Sequence, residues 1–307
     1  MTITKLEDLL KSSDETQLRK AEKVAIVGAG VMGQGIAQTI ASAGLEVKVV
    51  EKDEESKQRS ILQLEESMNR EIARWGMTTS EKKAIMSRIF WHTNLEKLNQ
   101  CDIIIDAVPE NLELKKEIFY KLDRIAKKES IFVSTTSTLS LDEISLVTNR
   151  KSQIMSMHFL NPVPKVPLVE LVRTVDTADE TLKKIKRFAS SIGKTPIEVY
   201  DYPGYVTTRT IIPLLNEAMH ILLEGIATAH DIDTAMKLGF SMQVGPLELA
   251  DQMGLDEVLT WMQQLWQTLG EPRYRPCPIL RKLVRERKLG KKTGEGFFKY
   301  DSEGKII

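Results

Sequence analysis

Cysteine is scarce. Cys101 and Cys277 are the only two in 307 residues, and they lie far apart. So thin a supply excludes a disulfide scaffold and a cysteine-based zinc cluster, and predicts no bound metal and a reducing, cytoplasmic setting. Excess charge is absent too, because Lys+Arg and Asp+Glu both total 43. That balance argues against a general binder of nucleic acid or of membrane surfaces, while leaving room for a local basic patch. No apolar run approaches the roughly 20 residues that span a bilayer. Residues 1–22 lack the apolar core of a secretory signal, and Glu7, Asp8, Asp14 and Glu15 are out of keeping with a mitochondrial transit peptide. They read as a short N-terminal extension.

What is present is an ordinary globular composition, 42% hydrophobic and 28% charged, in a chain long enough for two domains. Short apolar runs at 24–27, 47–50, 102–108, 131–134, 154–157, 168–172 and 196–199 predict buried strands, and the first carries no charge. Between them, 32–42, 112–127 and 179–191 carry helical spacing, and 54–88 reads as two charged amphipathic helices broken near Gly76. Beyond Asp201-Tyr202-Pro203-Gly204 the strand pattern ends, and helix starts are expected at Asp231 and Pro246. The expected layout is an α/β doubly wound sheet domain over 23–200, carrying the helical hairpin at 54–88, then a smaller all-α domain over 201–307.

Gly28-Ala29-Gly30-Val31-Met32-Gly33 follows the first strand and opens the first helix. That context turns a common glycine pattern into the phosphate-binding turn of a Rossmann-type domain. Gly28 permits the tight turn, Gly30 lets the backbone approach a pyrophosphate, and Gly33 lets helix and strand pack closely. The backbone at Val31 and Met32 begins the helix whose positive end faces the phosphates. Glu51, 23 positions after Gly28, suits the acid that binds the adenosine ribose. Its charge should repel the extra phosphate of NADP, so NAD is the expected cofactor, although Lys52 beside it pulls the other way. A structural glycine turn without a cofactor is the rival reading.

The acid/base residue follows partly by exclusion. Zinc chemistry lacks its cysteines, and no tyrosine has a lysine four residues later; Tyr120 has Arg124 there. That leaves His92, His158, His220 and His230. Packing or capping accounts for three of them. His158 ends an apolar strand pattern, where ligands of α/β sheets gather, and histidine titrates near neutrality.

Met157-His158-Phe159-Leu160-Asn161-Pro162-Val163-Pro164 and the following Leu168-Val169-Glu170 closely resemble the signature of the L-3-hydroxyacyl-CoA dehydrogenases, most nearly their bacterial 3-hydroxybutyryl-CoA branch. The resemblance runs from about Lys23 to Tyr300. It includes 106–112, 134–139, Gly245-Pro246-Leu247 and Lys292-Thr293-Gly294-Glu295-Gly296-Phe297. It implies NAD-linked interconversion of (S)-3-hydroxyacyl-CoA and 3-oxoacyl-CoA, with His158 as general acid/base, Glu170 orienting it, and Ser137 near substrate oxygen and nicotinamide. It further implies cofactor contacts at Glu110, Lys115, Ser137 and Asn161, CoA contacts at Ser67 and Arg74, and a homodimer formed by the C-terminal domain. From the residues alone, Glu170 could instead be a solvated strand residue, Ser137 a turn or cap, and Lys115 part of a solvated helix face.

Two places depart from the family pattern. Thr208 stands where the family has a catalytic asparagine, and Gln243-Val244 replaces the usual Pro-Met. A threonine offers a single shorter hydroxyl donor. Three readings follow: a competent enzyme in which Thr208 or water replaces the amide, a dehydrogenase for a different acyl-CoA or a free hydroxy acid, or a weakened protein that chiefly binds dinucleotide or acyl-CoA.

Overall fold

A computed structural model describes residues 22–137 and 139–307. The expected N-terminal extension therefore lies, apart from Glu22, outside the described residues, as does Thr138. The chain divides into two compact units, one ending at Val199 and the other starting at Tyr200.

The first unit holds β1 (Val24–Val27), α1 (Val31–Ser42), β2 (Val47–Val50), α2 (Glu54–Ala73), α3 (Thr79–Met86), β3 (Ile89–His92), β4 (Ile103–Asp106), α4 (Leu112–Ile125) and β5 (Ile131–Ser134). There follow α5 (Leu141–Ser145), β6 (Ile154–Phe159), β7 (Leu168–Arg173), α6 (Asp179–Ser191) and β8 (Thr195–Tyr200). Eight strands form one sheet in the order β3-β2-β1-β4-β5-β6-β7-β8. Pairing is parallel from β3 through β6, and β7 runs antiparallel to β6.

The central strands read as mostly apolar runs because both faces are covered. Val24, Ile26, Ile103 and Ile105 join one core with Ile36 and Ile40 of α1, Leu64 and Met68 of α2, and Phe188 of α6. Ala25, Val27, Ile104 and Phe132 join the other with Phe119 and Leu122 of α4 and Ile144 of α5.

Several elements differ from the sequence expectation: α5 was not expected, and β4 is shorter than its expected run at 102–108. β3 was not expected. It is an edge strand in which Ile89 is buried while Phe90 is 44% exposed, so its apolar signal is one-sided and short. β6 runs two residues beyond its expected end, because β7 continues to pair with it as far as Phe159↔Val169. His158 therefore lies within the strand and not after it.

The second unit is helical: α7 (Thr207–Leu223), α8 (Ala229–Phe240), α9 (Pro246–Met253), α10 (Leu255–Leu269) and α11 (Pro278–Arg285). Pro246 does open its helix, at the first position, where a missing N–H is harmless. α8 starts earlier than expected: Thr228 is the cap, accepting from the Asp231 N–H, and Asp231 sits in the first turn. Ile212, Leu215, Leu247, Val258, Met262 and Leu265 fill the core. The Asn216 amide donates to the carbonyls of Arg273 and Arg275 and accepts from the Cys277 N–H. Asp251 accepts from the N–H groups of Phe297 and Phe298 and from the Tyr300 hydroxyl, tying the C-terminal segment to α9. No helix among the described residues is long and apolar enough to cross a membrane.

Candidate active site

The strand order reverses direction at β1 and β4, and in such sheets a crevice opens at the carboxyl ends of those two strands. A cavity of about 970 Å³ lies there, its wall including Gly28, Gly30, Glu51, Val108, Glu110 and Ser137. Gly28 has φ +91, and a Cβ on it would stand 2.9 Å from the Ala107 carbonyl oxygen. A Cβ on Gly33 would stand 2.1 Å from the Gly28 oxygen, so the turn and its helix tolerate no side chain at either position. Gly30 differs, since nothing lies within 4 Å of its would-be Cβ. It opens α1 with no side-chain cap and no acid in the first turn, which leaves the positive helix end facing the cavity at Val31 and Met32. These residues fit a dinucleotide: a bare helix start for the pyrophosphate, and a carboxylate beyond it.

That carboxylate is Glu51. Its Oε1 accepts from the Ala29 N–H at 2.7 Å and the Ser60 hydroxyl at 3.3 Å, and its Oε2 accepts from the Lys52 N–H at 3.2 Å. Glu51 is thus held against the glycine turn. Arg59 of α2 reaches the same wall, beside Lys52. It escaped sequence reasoning because α2 shows only a charged helical surface.

The loops after β4 and β5 form the next layer. Lys115 is sealed, with its side chain 0% exposed, so it is no part of a solvated helix face, and Leu114, not Lys115, reaches the cavity wall. Its Nζ lies 2.9 Å from Asp106 Oδ2 and 3.7 Å from Glu110 Oε2. Burial pushes the Asp106 carboxyl up, while Lys115, the Val108 N–H and the Ser134 hydroxyl pull against it. Glu110 Oε1 accepts from the Thr136 hydroxyl at 2.6 Å and the Ser137 N–H at 3.0 Å. Ser137 follows β5 into the cavity wall.

His158 and Glu170 are opposed residues of the β6/β7 pair. His158 Nδ1 lies 2.6 Å from Glu170 Oε2, with side chains 8% and 0% exposed, so Glu170 is a sealed, paired acid and no solvated strand residue. His158 and Ser137 follow a register in which Ser134 faces Ser156, so both stand at the carboxyl ends of adjacent strands. Asn161 is exposed at the start of the next loop. That loop packs Val163 against Gly35 of α1, and its Val163 and Val166 carbonyls accept from the buried Lys194 ammonium. Burial lowers the Lys194 pKa.

The remaining candidates stand apart. Ser67 is half-buried on α2, and Arg74 is exposed as its C-terminal cap. Thr208 belongs to the helical unit, 8% exposed in the first turn of α7. His92 ends the edge strand β3, His220 lies in the last turn of α7, and His230 in the first turn of α8.

Known proteins resemble this chain in sequence and architecture. Residues 23–202 match the family described as 3-hydroxyacyl-CoA dehydrogenase, NAD binding domain, and residues 204–300 match the C-terminal domain of the same family. A probable 3-hydroxybutyryl-CoA dehydrogenase of Bacillus subtilis is 42% identical over 282 residues, 92% of this chain and 98% of the relative. A probable 3-hydroxybutyryl-CoA dehydrogenase of Deinococcus radiodurans is 40% identical, covering 91% of this chain and all of the relative. The crystal structure of (S)-3-hydroxybutyryl-CoA dehydrogenase PaaH1 from Ralstonia eutropha superposes with a TM-score of 0.83 at 39% identity, over 92% of this chain and 100% of that one.

Proposed function

Because the chain belongs to the 3-hydroxyacyl-CoA dehydrogenase family, an NAD-dependent oxidoreductase family, we propose that it interconverts (S)-3-hydroxyacyl-CoA and 3-oxoacyl-CoA, with His158 as general acid/base. NAD, when bound, supplies the hydride acceptor for the carbinol carbon. The glycine turn and the start of α1 hold the pyrophosphate, and Glu51 takes the ribose hydroxyls. His158 Nδ1–H donates to Glu170, which leaves the Nε2 lone pair for the substrate hydroxyl proton. As that proton arrives, the Glu170 charge stabilises the imidazolium. In the reverse direction Nε2 returns the proton to the forming alkoxide. Ser137 donates to the same oxygen, and Asn161 and Glu110 would contact the cofactor.

The acyl-CoA carrier is assigned to the hairpin of α2 and α3, with Ser67 and the exposed Arg74 guanidinium meeting CoA phosphates. The helical unit is assigned the homodimer contact, and the cytoplasm is the proposed compartment. Thr208 takes the place of the missing amide, donating its hydroxyl.

The observation that carries the proposal is the 2.6 Å contact between a strand-end histidine and a fully buried carboxylate. NADH consumption with 3-oxoacyl-CoA of several chain lengths tests it, against the free 3-oxo acids as comparison. Turnover of acyl-CoA supports it. Activity on free acids alone selects a hydroxy-acid dehydrogenase, and tight NADH binding without turnover selects a binding protein.

A further inference from the structure

We infer that Asp106 and Lys115 are positioning residues, a charge pair sealed beneath the crevice that sets Ser137 through Glu110. This rests on the reading of Ser137 as an active-site serine. A buried ion pair is weak evidence of stabilisation, since apolar residues of like volume often serve as well. What the pair does here is geometric. The Lys115 ammonium donates to Asp106 Oδ2 at 2.9 Å and to the Val108 carbonyl at 3.3 Å, and turns towards Glu110 Oε2 at 3.7 Å. Glu110 holds the Ser137 N–H and the Thr136 hydroxyl with its other oxygen, and Thr136 Oγ1 in turn accepts from the Leu139 N–H. The near end of the same segment is tied to the other partner, because the Ser134 hydroxyl donates to Asp106 Oδ2 at 3.0 Å. Both ends of the stretch from Ser134 to Ser137 thus converge on one buried pair.

The charges explain why Lys115 matters to Glu110. Two carboxylates flank one ammonium. Without it, Asp106 and Glu110 repel, and that repulsion weakens the hold of Glu110, whose side chain is 33% exposed, on the Ser137 N–H. Lys115 itself lies outside the cavity wall. Its loss should therefore lower turnover more than cofactor binding.

The test compares Lys115→Met, Glu110→Gln, their combination, and the pair Asp106→Asn with Lys115→Met, which leaves no uncompensated buried charge should the single variant fail to fold. Turnover should fall on the order of 10–10²-fold in the lysine variants, the scale of a misplaced reacting group. The NADH Kd should stay within about threefold in Lys115→Met, whereas Glu110→Gln alters the cavity wall itself, and Lys115→Met should add little to the turnover loss of Glu110→Gln. Amide exchange in the 134–137 segment should quicken in the paired variant while α4 stays protected. A tenfold weaker NADH Kd at unchanged turnover, multiplying losses in the combination, or unchanged exchange would each overturn the inference. A wild-type protein inactive on every acyl-CoA would instead sink the functional reading, and the exchange measurement would still decide this one.

Discussion

Glu170 faces His158 across the β6/β7 pair, its Oε2 2.6 Å from His158 Nδ1 and its side chain wholly buried. A carboxylate sealed this way has the imidazole as its charge partner, and the strand register fixes the ring. Glu170→Gln keeps the shape and one acceptor but not the charge that stabilises the imidazolium. Turnover should drop on the order of 10³-fold with NADH affinity unchanged. A loss under about tenfold would remove Glu170 from the mechanism.

Glu51 carries two duties. Its Oε1 accepts from the Ala29 N–H in the glycine turn, and the carboxylate faces a cavity wall shared with Lys52 and Arg59. Glu51→Ala removes the ribose acceptor and the repulsion of a 2′-phosphate together, while leaving the two cations. We expect KM for NAD to rise about tenfold and the preference for NAD over NADP to shrink or invert, a loss near one charge-assisted hydrogen bond. The orphaned Ala29 N–H should also lower the melting temperature. An unchanged NAD/NADP ratio would show that Glu51 does not read the ribose.

How far the sequence reveals this architecture depends on what each residue is buried against. β1, β2, β4 and β5 are legible because both faces of the sheet are covered, which makes each a largely apolar run, interrupted by Lys48 in β2 and closed by Asp106 in β4 and Ser134 in β5. β3 is not, because an edge strand with Phe90 exposed imitates the tail of the charged hairpin. The glycine turn is legible because sterics demand it, with Gly28 and Gly33 pressed on backbone atoms. His158 was legible as a strand-end histidine, and Glu170 as its partner only through the family resemblance, since nothing in twelve residues of separation encodes the antiparallel register that opposes them. The Asp106–Lys115 contact was hidden for another reason: a lysine on a charged helix looks solvated until the sheet covers it. Packing constrains the motifs at 245–247 and 292–297. A Cβ on Gly245 would strike Asp233 at 2.2 Å, and one on Gly296 would strike Asp251 at 2.0 Å.

Acid should unfold the sheet unit through Asp123. Burial alone would raise its pKa, but hydrogen bonds from Arg150 and Asn149 outweigh that and hold it below the ordinary carboxylate range. Arg150 Nε lies 2.5 Å away, with both side chains under 10% exposed. With the folded pKa depressed, the pair's stabilisation is complete above the unfolded value near ~3.9 and is lost as pH falls through the folded value. Asp123→Asn should lose about 3–5 kcal/mol at neutral pH, the usual result of breaking a buried pair. Its denaturation curve should approach that of the wild type at the acid end. Parallel curves at every pH would show that Asp123 titrates normally.

Thr208 concentrates the question of catalytic power. It is buried in the first turn of α7. Threonine and valine share shape and branching, so Thr208→Val removes the hydroxyl while leaving the helix start intact. If the hydroxyl holds the substrate oxygen, Thr208→Val should reduce turnover by about 10²-fold, the scale of losing one preorganised donor. KM should change little, since that donor acts on charge developing in the transition state. Thr208→Asn supplies two donors in place of one and should match or exceed the wild-type rate. Equal rates for threonine and valine would instead show that the hydroxyl takes no part, so that His158, Glu170 and Ser137 carry the reaction unaided. A large gain for Thr208→Asn over an almost inactive wild type would mark the protein as a binder that has relinquished turnover at this one position.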